Sequence, residues 1–156
     1  MSKTYKWKAG FSGGLAAQTV GQELERIGAA EPLTPSAVVE AARPADAPLH
    51  PAFTWDDTDA AEKYRQSEAR RLVSGIRVIT HTTEGPQRTL AYVSVVYPEQ
   101  GRQYMPTAHV MGDEELRTQA LSEALEALNA LRRRFGHLNE LAELFSAAEK
   151  IEMAVA

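Results

Sequence analysis

Gly10-Phe-Ser-Gly-Gly14 matches the spacing of a nucleophile elbow, in which a serine is held on a strained turn between a buried strand and a helix. A helix is expected after this stretch but no strand before it, so Ser12 reads as part of a glycine-rich hinge. A small hydrolase is therefore the least favoured reading. His50, His81, His109 and His137 are far apart in the chain, and none forms the helical pair of a metal motif. Asp56, Asp57 and Asp59 offer oxygen donors that, with His50, would suit a hard divalent ion. The same acids are expected to cap and polarise the start of a helix, as are Asp113, Glu114 and Glu115 further on. Arg132, Arg133 and Arg134 carry phosphate-gripping groups, but neighbouring helical residues point in different directions and cannot share one surface. Cysteine is absent, which removes thiolate nucleophiles, disulfides and cysteine zinc sites together. These residues assign no catalytic group, metal or cofactor, and a non-enzymatic protein is expected.

The cations are more informative. Net charge is −4, which argues against an indiscriminate polycation, yet its distribution is uneven. The first 14 residues contain Lys3, Lys6 and Lys8 interleaved with Tyr5 and Trp7, and residues 63–103 hold seven basic against three acidic side chains. Lys63, Arg70 and Arg77 recur every seven positions and would line one face of a helix that reached Arg77. Lysine and arginine neutralise phosphates and release counterions, and arm aromatics can stack on exposed bases. Lys3, Lys6, Trp7, Lys8, Lys63, Arg70 and Arg77 are thus the candidate nucleic-acid contacts, with DNA the expected partner.

The elements that must position these residues are mainly helical. Leu15, Val20, Leu24 and Ile27 predict a first helix, and Thr34-Pro35 a second that runs to about Ala42. Three prolines in Pro44–Pro51 predict an irregular connection that packs through Leu49, Phe53 and Trp55. Thr54, Trp55, Asp56 and Asp57 start a third helix that ends near Ser74. Ile76–Thr80 and Leu90–Tyr97 predict a β-hairpin around Glu84-Gly85-Pro86, with Tyr104-Met105 as a short third strand. The apolar stripe of the last third, including Leu121, Leu125, Leu128, Leu131, Phe135 and Leu138, predicts one long amphipathic helix or, if Gly136 interrupts it, a helix pair. Either is expected to mediate homo-oligomerisation. The expected class is α+β, mainly α, with helices on a two- or three-stranded antiparallel element. It divides into a flexible arm (1–14), a helical and β-hairpin domain (15–110) and a C-terminal oligomerisation segment (111–156). No apolar core follows the N-terminal lysines and no apolar run approaches the ~20 residues of a membrane span, so a cytoplasmic protein is expected.

The runs Ala17–Ile27, Leu33–Glu40, Pro48–Asp57 and Ala60–Arg65 with Ala69-Arg70 together resemble an uncharacterised family of small proteins carried by bacteriophages and prophages. The Pro48-Leu-His-Pro-Ala-Phe-Thr-Trp-Asp-Asp57 stretch is the most distinctive part. The resemblance covers most of the N-terminal half, implies a phage context in a bacterial cytoplasm, and carries over no catalytic residue. The leading expectation is a self-associating accessory protein that contacts nucleic acid. The alternative is an adaptor that binds a phage or host protein through apolar helix surfaces.

Overall fold

The computed structural model describes residues 3–55 and 59–156. The chain is α+β and mainly helical: β1 (Tyr5–Trp7), α1 (Ala17–Ala30), α2 (Pro35–Ala42), α3 (Asp59–Gly75), β2 (Ile76–Thr82), β3 (Gly85–Leu90), β4 (Tyr92–Tyr97), β5 (Gly101–Pro106), α4 (Thr107–Gly112), α5 (Glu114–Phe135) and α6 (Ala142–Val155). It divides into two compact units, Met1–His109 and Val110–Ala156. Among the described residues no helix is long and apolar enough to cross a membrane.

Local signals act where their chemistry places them. Thr34 is extended, its Oγ1 accepts the Ala37 amide at 3.1 Å, and Pro35 occupies the first turn of α2. The proline-rich connection packs as expected, with Leu49 and Phe53 buried. Trp55 is held from several directions: the His50 ring stacks on it at 4.7 Å and the Arg65 guanidinium lies 5.1 Å from its centroid. Its indole nitrogen donates to the His50 carbonyl at 2.9 Å. Arg65 is itself buried, donating to the Thr54 carbonyl and pairing with Glu62 at 3.1 Å. The expected capping by Asp56 and Asp57 lies outside the described residues, as does any part the Asp59 side chain would play.

In the first unit one apolar cluster joins Val20, Leu24 and Ile27 of α1, Val38 and Val39 of α2, and Leu72 and Val73 of α3 to Ile76, Leu33 and Leu49. Tyr5 belongs to this core, so residues 5–7 are a packed strand within the segment expected to be a flexible arm (1–14). Residues 5–7 form a strand antiparallel to β2, in the register Tyr5↔Val78, Lys6↔Arg77 and Trp7↔Ile76. The reason lies in α1: Gly21 has no side chain, and a Cβ there would stand 2.1 Å from the Tyr5 ring. The ring therefore lies against bare helix backbone. Gln18 closes the outer edge of β1 by accepting the Tyr5 amide and donating to the Lys3 carbonyl, both at 2.9 Å, as a neighbouring strand would. Tyr5 Oη donates to Glu25, which also pairs with Lys3 at 2.6 Å.

The β-pairing also differs from the expected single hairpin. β2 turns at Thr83-Glu84 into β3, with Thr82↔Gly85 in register, and completes a three-stranded sheet in the order β1-β2-β3. β4 instead pairs with β5 in a separate two-stranded sheet, and Tyr104 donates from β5 to the Leu33 carbonyl at 2.7 Å. In the second unit α5 ends at Phe135 and α6 begins at Ala142, with Gly136 in the connection, where a Cβ would meet the Arg132 carbonyl oxygen at 2.7 Å. The result is the helix pair rather than the single long helix. Asp113 caps α5 by accepting the Leu116 amide at 3.0 Å, and Glu114 and Glu115 occupy its first turn.

Two outcomes follow. Alanine in place of glycine within a helix ordinarily stabilises by about 1 kcal/mol, but Gly21→Ala must displace the Tyr5 ring and is expected to cost about 1–3 kcal/mol instead. The sign is read from a urea-unfolding midpoint. Burial, then the charge of Glu25, pushes the Tyr5 phenol up from 10.0 to about 12. Burial beside Tyr5 and Glu25 also raises Tyr92. A raised folded-state value means that the stability contributed is fully present below pH 10 and is lost as pH climbs toward about 12. Tyr5→Phe should flatten that loss when unfolding midpoints are compared at the two ends of this window.

Candidate functional site

Strand alternation sorts the side chains of the three-stranded sheet. Tyr5 and Trp7 of β1 and Ile76 and Val78 of β2 share the face that meets the apolar cluster. Lys6, Arg77, Ile79 and His81 take the other face, together with Arg88 and Leu90 of β3, which lie opposite Ile79 and Arg77. Lys6, Arg88 and Leu90 are exposed and Arg77 is half-buried. Lys6 and Arg77 stand directly opposite each other across the ladder, an arrangement of like charges that disfavours the pairing. The strand positions of this face include no carboxylate.

The cationic surface continues past the end of β1. The Lys8 amide donates to the Gly75 carbonyl at 2.9 Å, extending the pairing to the junction of α3 and β2. There the Phe11 ring covers Gly75, where an added Cβ would lie 2.7 Å from Phe11 Cε1. Lys8 Nζ and the Arg71 guanidinium lie 5.4 and 5.7 Å from the centroid of that ring. Arg77 donates through Nη1 to the carbonyls of Ser74 and Ile76 at 2.8 and 3.1 Å. The Ser74 carbonyl lies in the last turn of α3, where the helix dipole favours a cation, and the Ile76 carbonyl belongs to the first residue of β2. Lys6, Lys8, Arg71, Arg77 and Arg88 are thereby gathered from four elements or their ends.

Several candidates are placed differently by this geometry. Arg77 does not extend a helical face, because α3 stops at Gly75 and the chain passes directly into β2. Lys63 and Arg70 are exposed on α3 and stay on one side of it, two turns apart. Neither is in an ion pair with a described carboxylate. Arg70 lies near enough to the Tyr104 phenol for its charge to oppose the rise that burial causes there. Lys3 is committed to Glu25, whose carboxyl its hydrogen bond holds below the ordinary carboxylate range. Trp7 is not free to stack on a base: its indole nitrogen donates to the Leu15 carbonyl at 2.9 Å and its ring closes over Gly13. Arg71 and Arg88 were not expected at the site. The glycine turn at Glu84-Gly85 was the available signal for Arg88, since a tight hairpin there puts residues 85–90 beside 76–82.

Ser12 is exposed in the loop before α1, where its Oγ accepts the Gly14 amide at 3.5 Å. Among the described residues no group of three or more histidine and acidic side chains is arranged to hold a metal ion. His50 is stacked on Trp55, with Nδ1 2.9 Å from the Ala42 carbonyl oxygen. Comparison with family models, with curated proteins and with solved structures finds no match. The reading of the site therefore rests on its own geometry, which offers several positive charges beside exposed Leu90 and half-buried Ile79 and Phe11. Such a surface suits an extended polyanion.

The like-charge pairing has a measurable cost. Lys6→Glu would place opposite charges across the ladder from Arg77, and this variant is expected to be more stable than the parent by about 0.2–1 kcal/mol. Thermal or urea unfolding at low salt reads the gain, which high salt should reduce.

Proposed function

We propose that this protein is a non-enzymatic accessory protein of a phage or prophage, acting in the bacterial cytoplasm, that contacts nucleic acid through its basic surface and self-associates through its C-terminal helices. The observation that carries the nucleic-acid reading is the Lys6–Arg77 pairing on the open face of the sheet, flanked by Arg88, Lys8 and Arg71. A protein of net charge −4 that sets cations with no carboxylate partner among the described residues across a strand ladder sacrifices stability there, and an anionic backbone recovers it. Lys63 and Arg70 supply a second exposed row on α3.

With Trp7 and Tyr5 packed inside, base stacking by the arm is dropped from the reading, and the contact is one of phosphates rather than base edges. Little sequence preference is expected from it. Self-association multiplies these contacts, because linked sites raise effective concentration. The rival reading, an adaptor for a phage or host protein with no nucleic-acid contact, is favoured by the exposed apolar side chains of the C-terminal helices, among them Leu131, Leu144 and Ile151.

Fluorescence titration of labelled duplex and single-stranded DNA separates the two readings. Nucleic-acid contact predicts binding that weakens between roughly 50 and 200 mM salt, with a log–log slope of about −4.5 for duplex and about −3.5 for single strands at five neutralised phosphates. Lys6→Ala and Arg88→Ala should each lower the slope by about 1. Absence of binding to either form at the lower salt would overturn the reading and leave the adaptor.

A further inference from the structure

The second unit is a two-helix hairpin with an incomplete core. Asn129 and Arg132 of α5 reach Glu152 and Glu149 of α6 and mark the line along which the two helices meet. Phe145 and Ala148 are buried from the α6 side and Leu125 from the α5 side. Two further apolar rows stay outside this contact. Leu131 is 37% exposed on α5, and Leu144, Ile151 and Val155 are 42–53% exposed on α6. At roughly 100° per residue, the α5 row Leu121, Leu128, Leu131 and Phe135 lies about a quarter turn from the contact line. The α6 row lies about a quarter turn from it in the same rotational sense. For antiparallel helices that places both rows on one side of the hairpin.

We infer that two copies of this chain pair through that side of the hairpin, with each α5 antiparallel to the α5 of the second copy about a two-fold axis near Leu128. The inference rests on the proposed self-association and specifies its geometry. The occupant is a second copy for three reasons. An isologous interface must be self-complementary. Centring it on Leu128 sets Leu121 against Phe135 of the other copy, seven residues to either side, and Leu128 against its own counterpart.

The second reason is charge. α5 begins with Glu114 and Glu115 and ends with Arg132, Arg133 and Arg134. Parallel pairing would stack the arginine ends of the two copies on each other, whereas antiparallel pairing separates them and sets each nearer the acidic half of the other helix. The third is area. The exposed leucine, isoleucine and valine side chains present on the order of 300 Å² of apolar surface, the size of the largest patch on a typical monomer. With half-buried Leu128 and Phe135 and a polar rim, the face approaches the ~800 Å² per partner of a stable dimer.

The chain has no cysteine, so single-cysteine variants of the full protein report the geometry directly. Light scattering should give twice the 17.1 kDa chain mass, and Leu144→Glu with Ile151→Glu should halve it while far-ultraviolet circular dichroism is unchanged. Both positions are exposed, so folding does not depend on them. With a short bis-maleimide, Leu128→Cys should cross-link to itself. Leu121→Cys and Phe135→Cys should cross-link only when mixed. A monomer at micromolar concentration would overturn self-association together with this inference. A dimer in which Leu121→Cys alone cross-links, or one that survives the double glutamate variant, would overturn the antiparallel face while self-association stood.

Discussion

The contact of the Tyr5 ring with the uncovered backbone of Gly21 is the constraint on which the basic surface depends. It turns the N-terminal segment into a strand, and the strand then fixes what faces what. Once Tyr5 points at α1, alternation turns Lys6 outward, and pairing with β2 sets it opposite Arg77. Gln18 and the Lys3–Glu25–Tyr5 network hold the strand from its outer edge. The glycine is unusual in a helix interior, where it weakens the helix. Here that local weakness is exchanged for the burial of an aromatic side chain, an interaction of larger magnitude.

Electrostatically the protein is acidic as a whole and basic in one place. Many of its carboxylates are taken up by neighbours: Glu23 by Arg26, Glu40 and Glu62 by Arg43, and Glu149 by Arg132. Among the described residues, Lys6, Lys8, Arg71, Arg77 and Arg88 form no ion pair with a carboxylate, and they lie where the sheet, the end of α3 and the Phe11 ring converge. Phe11 brings Lys8 and Arg71 to one ring, and the Ser74 carbonyl at the end of α3 draws Arg77 to the same junction. The field of such a cluster reaches about a Debye length, so the potential near it is local and does not follow the negative sum.

The two units bury apolar side chains in different ways. Residues from three helices, two sheets and the loops between them enclose the core of the first. The hairpin of the second has one helix–helix contact line, and two helices touching along a line can bury only the side chains near it. The neighbouring rows of leucine and isoleucine remain in water, a geometric consequence of pairing two broad apolar stripes that each span more than one face.

What the sequence determined was local. Thr34-Pro35 set the start of α2, Asp113 the start of α5, and the apolar periodicity the mainly helical class, while Gly136 left a single helix and a helix pair both open. Each of these signals acts on backbone groups within a few residues, so no distant partner can redirect it. What only the tertiary structure decided was non-local. The partner of β2 is β3 and not β4, the lysine-rich arm is a core strand, and Arg77 belongs to a sheet rather than to the face of α3. A β-propensity says that a segment will pair but not with which neighbour, and a glycine in a helix looks like a defect until an aromatic ring from another segment lies on it. The basic surface was therefore legible as a composition of cations, while its arrangement was fixed by the ladder that set Lys6 against Arg77.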